Sequence, residues 1–147
     1  MAKEIVIADK ERVAAFVAER IGLYDGFFGH YSAIGLADQG GLVAGVVYNE
    51  YTVTNIFMHV AGEPGKRWMN RRFLAACFDY PFNRLNVNRV TGWVEASNTV
   101  ARAFDENLGF VPEAQLEGAA RDGGNVILYR MWKKDCRFLG GRYVASL

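Results

Sequence analysis

The chain has 147 residues, 17 Lys+Arg against 16 Asp+Glu, and a net charge of +1. Half of it is apolar (51%) and 14% is aromatic, so one domain can bury enough surface to offset its ordering and global disorder is excluded; the balanced charge argues against general polyanion binding. Two cysteines, Cys77 and Cys136, and two histidines, scattered along the chain, make neither a disulfide framework nor a zinc site, so a reducing compartment and no metal are expected.

The opening, MAKEIVIADKERVAAF, carries a short apolar run that Asp9, Lys10, Glu11 and Arg12 interrupt at once, unlike a signal peptide. No stretch approaches the roughly 20 apolar residues of a membrane span. A cytoplasmic chain with no membrane partner is expected.

Residues Glu4–Ala8 read as a short strand. Asp9 reads as the N-cap of a helix with Val13, Phe16, Val17 and Ile21 at helical spacing, stopped by Gly22. The segment GLYDGFFGH (22–30) is a glycine-rich aromatic loop, either beside a pocket or pinned to the core by its aromatics. Tyr31–Ala37, Leu42–Tyr48 and Tyr51–Val60 read as an antiparallel meander turned at Asp38–Gly41 and Asn49-Glu50. After a break at 61–65 a helix is predicted over Lys66–Tyr80, with Met69, Phe73, Ala76, Cys77 and Tyr80 on one face and Pro81 as its stop. Asn88–Glu95 is a strand. Ser97 is read as the cap of a helix striped by Val100, Ala101, Phe104 and Leu108, and Gly109 closes it. Phe110–Gly118 and Asn125–Trp132 are strands around Asp122-Gly123-Gly124, a hairpin signal. The tail from Cys136 is ambiguous. This order predicts an α/β (α+β) domain with a mixed sheet, in which Tyr51–Val60 and Asn88–Glu95 run parallel through a right-handed crossover.

The segment AGEPGKRWMNRR (Ala61–Arg72) stands where a strand turns into a helix. Lys66, Arg67, Arg71 and Arg72 crowd the helix start, and Glu63 is the one acid nearby. Cations there oppose the helix dipole, whereas the free N–H groups favour anions. A bound anion such as a phosphate resolves both facts; a solvated basic turn is the alternative. Downstream, VEASNTVARAFDENLGF (Val94–Phe110) reads locally as a capped helix with a glycine stop.

Together these two segments resemble the GNAT N-acetyltransferases. Ser97-Asn98, Ala101 and Leu108-Gly109-Phe110 stand at the places of that family's V-x-x-S-N-x-x-A-x-x-F-x-x-x-L-G-F pattern. The element order agrees over residues 4–133. The Tyr-x-Met strand and Asp135-Cys136-Arg137 resemble small bacteriophage-encoded members, which would work in the host cytoplasm. The resemblance implies a single domain over 1–147, with a centrally splayed mixed sheet flanked by helices. It implies acetyl-CoA or another acyl-CoA as cofactor, held by the backbone of Met58, His59 and Val60. The pyrophosphate would rest on Gly65, Lys66, Arg67, Trp68 and Met69, and Asn98 would touch the pantetheine region. The partner would be a small-molecule or protein amine, and a homodimer is compatible. Nucleic acid is not favoured, although a phage nucleobase-modifying relative is a variant of the same reading.

The chain departs from the family at three places. The loop commonly reads Arg/Gln-x-x-Gly-x-Gly/Ala, and here Pro64-Gly65-Lys66-Arg67-Trp68-Met69 puts Arg67 and Met69 at two glycine positions. The tyrosine that protonates the leaving thiolate is replaced by Asp105, which in its ordinary state is ionised at neutral pH. A glutamate that some members carry before the strand valine is Trp93. These departures keep a non-catalytic GNAT-fold binding protein as the alternative. If residues assist chemistry, His59 is the candidate base or relay and Asp105 the candidate acid. Glu50 and Glu95 near strand ends read as solvated carboxylates, Cys77 as core, and neither Ser32 nor Ser97 sits in a nucleophile elbow.

Overall fold

The structure, a computed structural model, describes residues 3–23, 26, 28–65, 70–141 and 143. Among these, seven strands form one mixed sheet in the order β1-β2-β3-β4-β5-β7-β6. They are β1 (Glu4–Val6), β2 (Tyr31–Asp38), β3 (Gly41–Asn49), β4 (Asn55–Gly62), β5 (Arg89–Glu95), β6 (Val111–Leu116) and β7 (Val126–Trp132). Every neighbouring pair is antiparallel except β4 and β5, which are parallel. The connection between those two is helix α2 (Arg71–Asp79) and a π-helical turn, Tyr80–Arg84. This is the predicted architecture.

Alternation along the strands divides the core between the two faces. On one face α1 (Lys10–Ile21) buries Val13, Phe16 and Val17 against Ala33, Val47 and Ala61. It lies close because Gly35 and Gly45 face each other across β2 and β3. A Cβ on Gly45 would meet Val17 Cγ2 at 2.9 Å. On the other face α2 and α3 (Thr99–Leu108) close over Met58, Phe78, Val90, Tyr129 and their neighbours. The tail extends this second core through two short 3-10 turns, and Phe138 stacks on Phe78 with ring centroids 4.8 Å apart.

Several expected boundaries move. β4 begins at Asn55, not Tyr51. Residues 51–54 form a loop in which Thr52 N–H donates to Asn55 O, and Val53 takes a left-handed φ of 74°. The apolar alternation of 51–54 is thus overridden by the tight return into β4. The N-cap of α2 is Asn70, whose Oδ1 accepts from Phe73 N–H at 2.7 Å; the predicted start at Lys66 falls, with residues 67–69, outside the described residues. Asn98, not Ser97, caps α3, accepting from Ala101 N–H at 3.1 Å. Ser97 Oγ instead donates to Asp122 Oδ2 at 2.9 Å. The β6–β7 connection is a loop of residues 117–125, wider than the Asp122-Gly123-Gly124 turn suggests.

Pro81 does not end its helix. Lacking an N–H, it cannot serve the carbonyl four residues back, which belongs to Cys77. The buried Tyr48 hydroxyl from β3 donates to that carbonyl at 2.6 Å, and the chain continues as a π-turn in which Leu85 N–H reaches Tyr80 O. A sheet tyrosine therefore satisfies the group that proline orphans. Tyr48→Phe keeps the ring and strands that carbonyl; the expected loss is about 1–3 kcal/mol, read as a lower urea midpoint with unchanged m-value.

Candidate active site

The site begins where a ladder stops. β4 and β5 pair only at Asn55–Arg89, Ile56–Val90 and Phe57–Thr91. Beyond this point β4 remains bonded to β3 as far as Gly62, and β5 to β7 as far as Glu95. The two strands thus form the arms of a fork with a closed end at Asn55 and an open end toward Gly62 and Glu95. Met58, His59 and Val60, the predicted donor-binding backbone, lie on the β4 arm just past the last pair, with ladder partners only on the β3 side. Backbone N–H and C=O groups left without a strand partner favour a ligand that supplies one.

On the α2/α3 face the fork is apolar, lined by Met58 and Val60 from β4 and Phe104 and Leu108 from α3. Here α3 presents Asp105. Gly92 is the first β5 residue past the last pair, and a Cβ on it would stand 3.1 Å from Asp105 Oδ2. The carboxyl therefore rests against bare backbone where the strands part. Burial, aided by the neighbouring negative charge of Glu106, pushes the pKa of Asp105 up to about 7. Glu106 itself accepts from the Tyr129 hydroxyl at 2.6 Å, and Arg102 Nε donates to the same hydroxyl at 3.3 Å. The expectation of an ordinary ionised aspartate is corrected: at neutral pH a large share of Asp105 keeps its proton.

His59 points to the opposite face. Its ring lies 5.5 Å from that of Phe28 and 6.3 Å from that of Phe57. Asn49 Nδ2 donates to Phe28 O at 3.1 Å, which turns Asn49 Oδ1 toward His59 Nε2 at 2.9 Å. Nε2 is thereby the protonated nitrogen and Nδ1 the one that carries a lone pair. Burial lowers the His59 pKa to about 4, so the imidazole is neutral at physiological pH. It is suited to accepting a hydrogen bond and ill suited to holding a proton.

The remaining candidates separate by position. Gly65, exposed with φ 79°, stands three residues past β4. Lys66, Arg67, Trp68 and Met69, the proposed anion cradle, lie outside the described residues. Next to them Arg71 and Arg72 are exposed in the first turn of α2, which contains no acidic residue. Asn98 spends its oxygen on the cap of α3, leaving its NH2 for a ligand. Glu50 sits at the closed end of the fork, whereas Glu95 ends β5 at the open end. Cys77 is core, its thiol pushed up by burial. Ser32 Oγ meets Tyr80 Oη at 2.7 Å. A wide surface depression of about 680 Å³ beside Asn83, Asn88, Trp132, Lys133 and Lys134 lies at the closed end; the fork is the better site because unpaired backbone and a perturbed carboxyl converge there. Sequence reasoning missed the proton on Asp105 and the tautomer-setting role of Asn49. A lone glycine inside a strand, Gly92, was the available hint of a close approach.

No protein-family model matches the chain, and no curated protein matches it. Solved structures do. The spermidine N-acetyltransferase of Vibrio cholerae, in complex with CoA and spermine, superposes with a TM-score of 0.69 at 14% identity, over 94% of this chain and 98% of that one. Ard1 of Thermoplasma volcanium gives 0.68 at 18% identity, over 90% and 98%. The ribosomal-protein-S18-alanine N-acetyltransferase of Escherichia coli gives 0.68 at 18% identity, over 89% and 94%. At such identities the likeness establishes a shared fold, the splayed mixed sheet of the GNAT proteins.

A raised aspartate pKa has a thermodynamic signature. The folded value of about 7 exceeds the reference of 3.8, so the folded state binds more protons between these limits. The associated stability is complete below pH 4 and lost as pH rises through 7. Asp105→Asn, which cannot ionise, is expected to match the wild type near pH 4 and exceed it by about 2–4 kcal/mol above pH 8, measured by urea unfolding across that range.

Proposed function

We propose that this chain is an acyl-CoA-dependent N-acyltransferase, a single domain that transfers an acetyl or other short acyl group to an amine. The observation that carries the reading is the fork: an apolar opening between parallel strands, with the carboxyl of Asp105, its pKa raised by burial, where they part on one face and the imidazole of His59 on the other. Fold similarity to N-acetyltransferases, one of them bound to CoA, supports it.

Acyl-CoA would supply the acyl group as a thioester, a substrate whose extended arm suits the unpaired edge of Met58, His59 and Val60. Gly65 to Met69 would receive the pyrophosphate, and the Asn98 amide the pantetheine region. N–H groups of the β4 arm would polarise the thioester carbonyl. A neutral amine would attack from the α1 face. Nδ1 of His59 would accept a hydrogen bond from the amine and orient it, and the proton lost by the amine would leave to solvent, because His59 cannot retain it near pH 7. On the other face Asp105 would hold the proton that the leaving sulfur takes as the C–S bond breaks, the task that a tyrosine performs in many relatives.

Two measurements test this. Replacing Lys66 and Arg67 together by Ala is expected to weaken CoA binding about ten-fold or more, since each charge-assisted contact contributes roughly 1.5–3 kcal/mol. Wild-type affinity should also fall with salt more steeply than that of the double variant; equal affinities in calorimetric titration would remove the cradle. Asp105→Asn is expected to lower kcat by about 10²-fold while leaving the KM for acetyl-CoA near its original value, followed by thiol release. A protein that binds CoA yet transfers no acyl group to any amine would instead be a non-catalytic binder.

A further inference from the structure

The α1 face of the fork shows what can enter from that side. Val90 and Val94 point into the α2/α3 core, so Trp93 and Glu95 project to the α1 face of the β5 arm. By the same alternation Phe57 and His59 project there from the β4 arm, opposite Met58 and Val60. Phe57 is paired with Thr91, so His59 and Trp93 each stand two residues beyond the last bonded pair, one on each arm. Phe28 from the 22–30 loop packs on His59. The opening is thus walled by aromatic rings, and Trp93 is left 43% exposed.

Two carboxylates at the open end, Glu63 and Glu95, are each paired with an arginine. Glu63, just past β4, accepts from Nε and Nη2 of Arg20, whose guanidinium lies 3.5 Å above the Phe16 ring. Glu95, at the end of β5, accepts from Arg121 Nε at 2.8 Å. Arg121 also donates to the carbonyls of Gly22 and Ile21 at the end of α1. Gly22 takes φ 72°, and any Cβ on it would collide with the guanidinium. The loop that carries Arg121 is held as well: Asp122 accepts from Ser97 Oγ and from Gly124 N–H. Arg121 is therefore set in advance, tying the β6–β7 loop to the end of α1 and covering Glu95.

We infer that the acceptor is a primary amine borne on an aromatic or apolar body, and that Arg121 is a specificity-determining residue that turns polyamines away. This deepens the acyltransfer reading and rests on it. An aromatic wall binds the apolar body by burial and leaves the neutral amine facing Nδ1 of His59. A polyamine needs free carboxylates for its further ammonium groups, and Glu63 and Glu95 would accept them only after losing an internal arginine, a cost that acts as discrimination.

The test is calorimetric titration of the CoA-saturated protein with 2-phenylethylamine and with spermidine. The wild type is expected to bind 2-phenylethylamine at least ten-fold more tightly. Trp93→Ala should lose about ten-fold for that amine and leave spermidine unchanged. Arg121→Gln, which uncovers Glu95, should gain about ten-fold for spermidine and little for 2-phenylethylamine, and Arg121→Lys should keep the wild-type preference. Equal or tighter spermidine binding by the wild type overturns the inference. So does an Arg121→Gln variant that weakens both amines alike, which would mark Arg121 as purely structural. Failure to bind CoA in the same experiment would bring down the acyltransfer reading itself, whereas normal CoA binding without the amine preference would bring down the acceptor assignment alone.

Discussion

The parallel ladder between β4 and β5 ends after Phe57–Thr91 although both strands run on. Each arm belongs to a different antiparallel block, β1 to β4 on one side and β5, β7 and β6 on the other. A twisting sheet made of two such blocks can stay joined at one end and part at the other. The parting leaves β4 backbone beyond Phe57 without a strand on one side, a cost of about 1 kcal/mol or more per unmade hydrogen bond where water is excluded. That gap makes the fork the candidate site, and Asp105 and His59 stand on its two faces.

The two faces of the fork differ chemically because different helices back them. On the α3 face, apolar side chains and the nearby charge of Glu106 make ionisation of Asp105 costly, so its proton is held near neutrality. On the α1 face, desolvation acts on a base and has the opposite result: His59 loses its proton and is neutral. One physical cause, burial beside a gap in the sheet, thus yields a proton donor on one face and a hydrogen-bond acceptor on the other.

Rigidity at the open end comes from arginine. Arg20 ties α1 to the segment after β4, and Arg121 ties the end of α1 to β5 and the β6–β7 loop. Neither pair is deeply buried, so their direct contribution to stability is small. Their effect lies in position and charge: they tie α1 to each side of the opening and pair Glu63 and Glu95 with cations.

The sequence by itself determined the order of elements, the parallel crossover from β4 to β5, and the glycine stops at Gly22 and Gly109. These follow from local chemistry: alternation, helical spacing and caps act over a few residues. Even there, competition between adjacent groups was decided by packing, as when Asn98 took the cap and Ser97 turned to Asp122. Only the tertiary structure decided the rest. The raised pKa of Asp105 depends on its burial, in a place where its carboxyl meets Gly92, thirteen residues away in sequence. The tautomer of His59 depends on Asn49 and the carbonyl of Phe28. The covering of Glu95 depends on Arg121, and the continuation of a helix through Pro81 depends on a hydroxyl from β3. A pKa, a tautomer and an ion pair are set by the dielectric and the charges within a few ångströms, and those neighbours are chosen by the fold rather than by the order of residues along the chain.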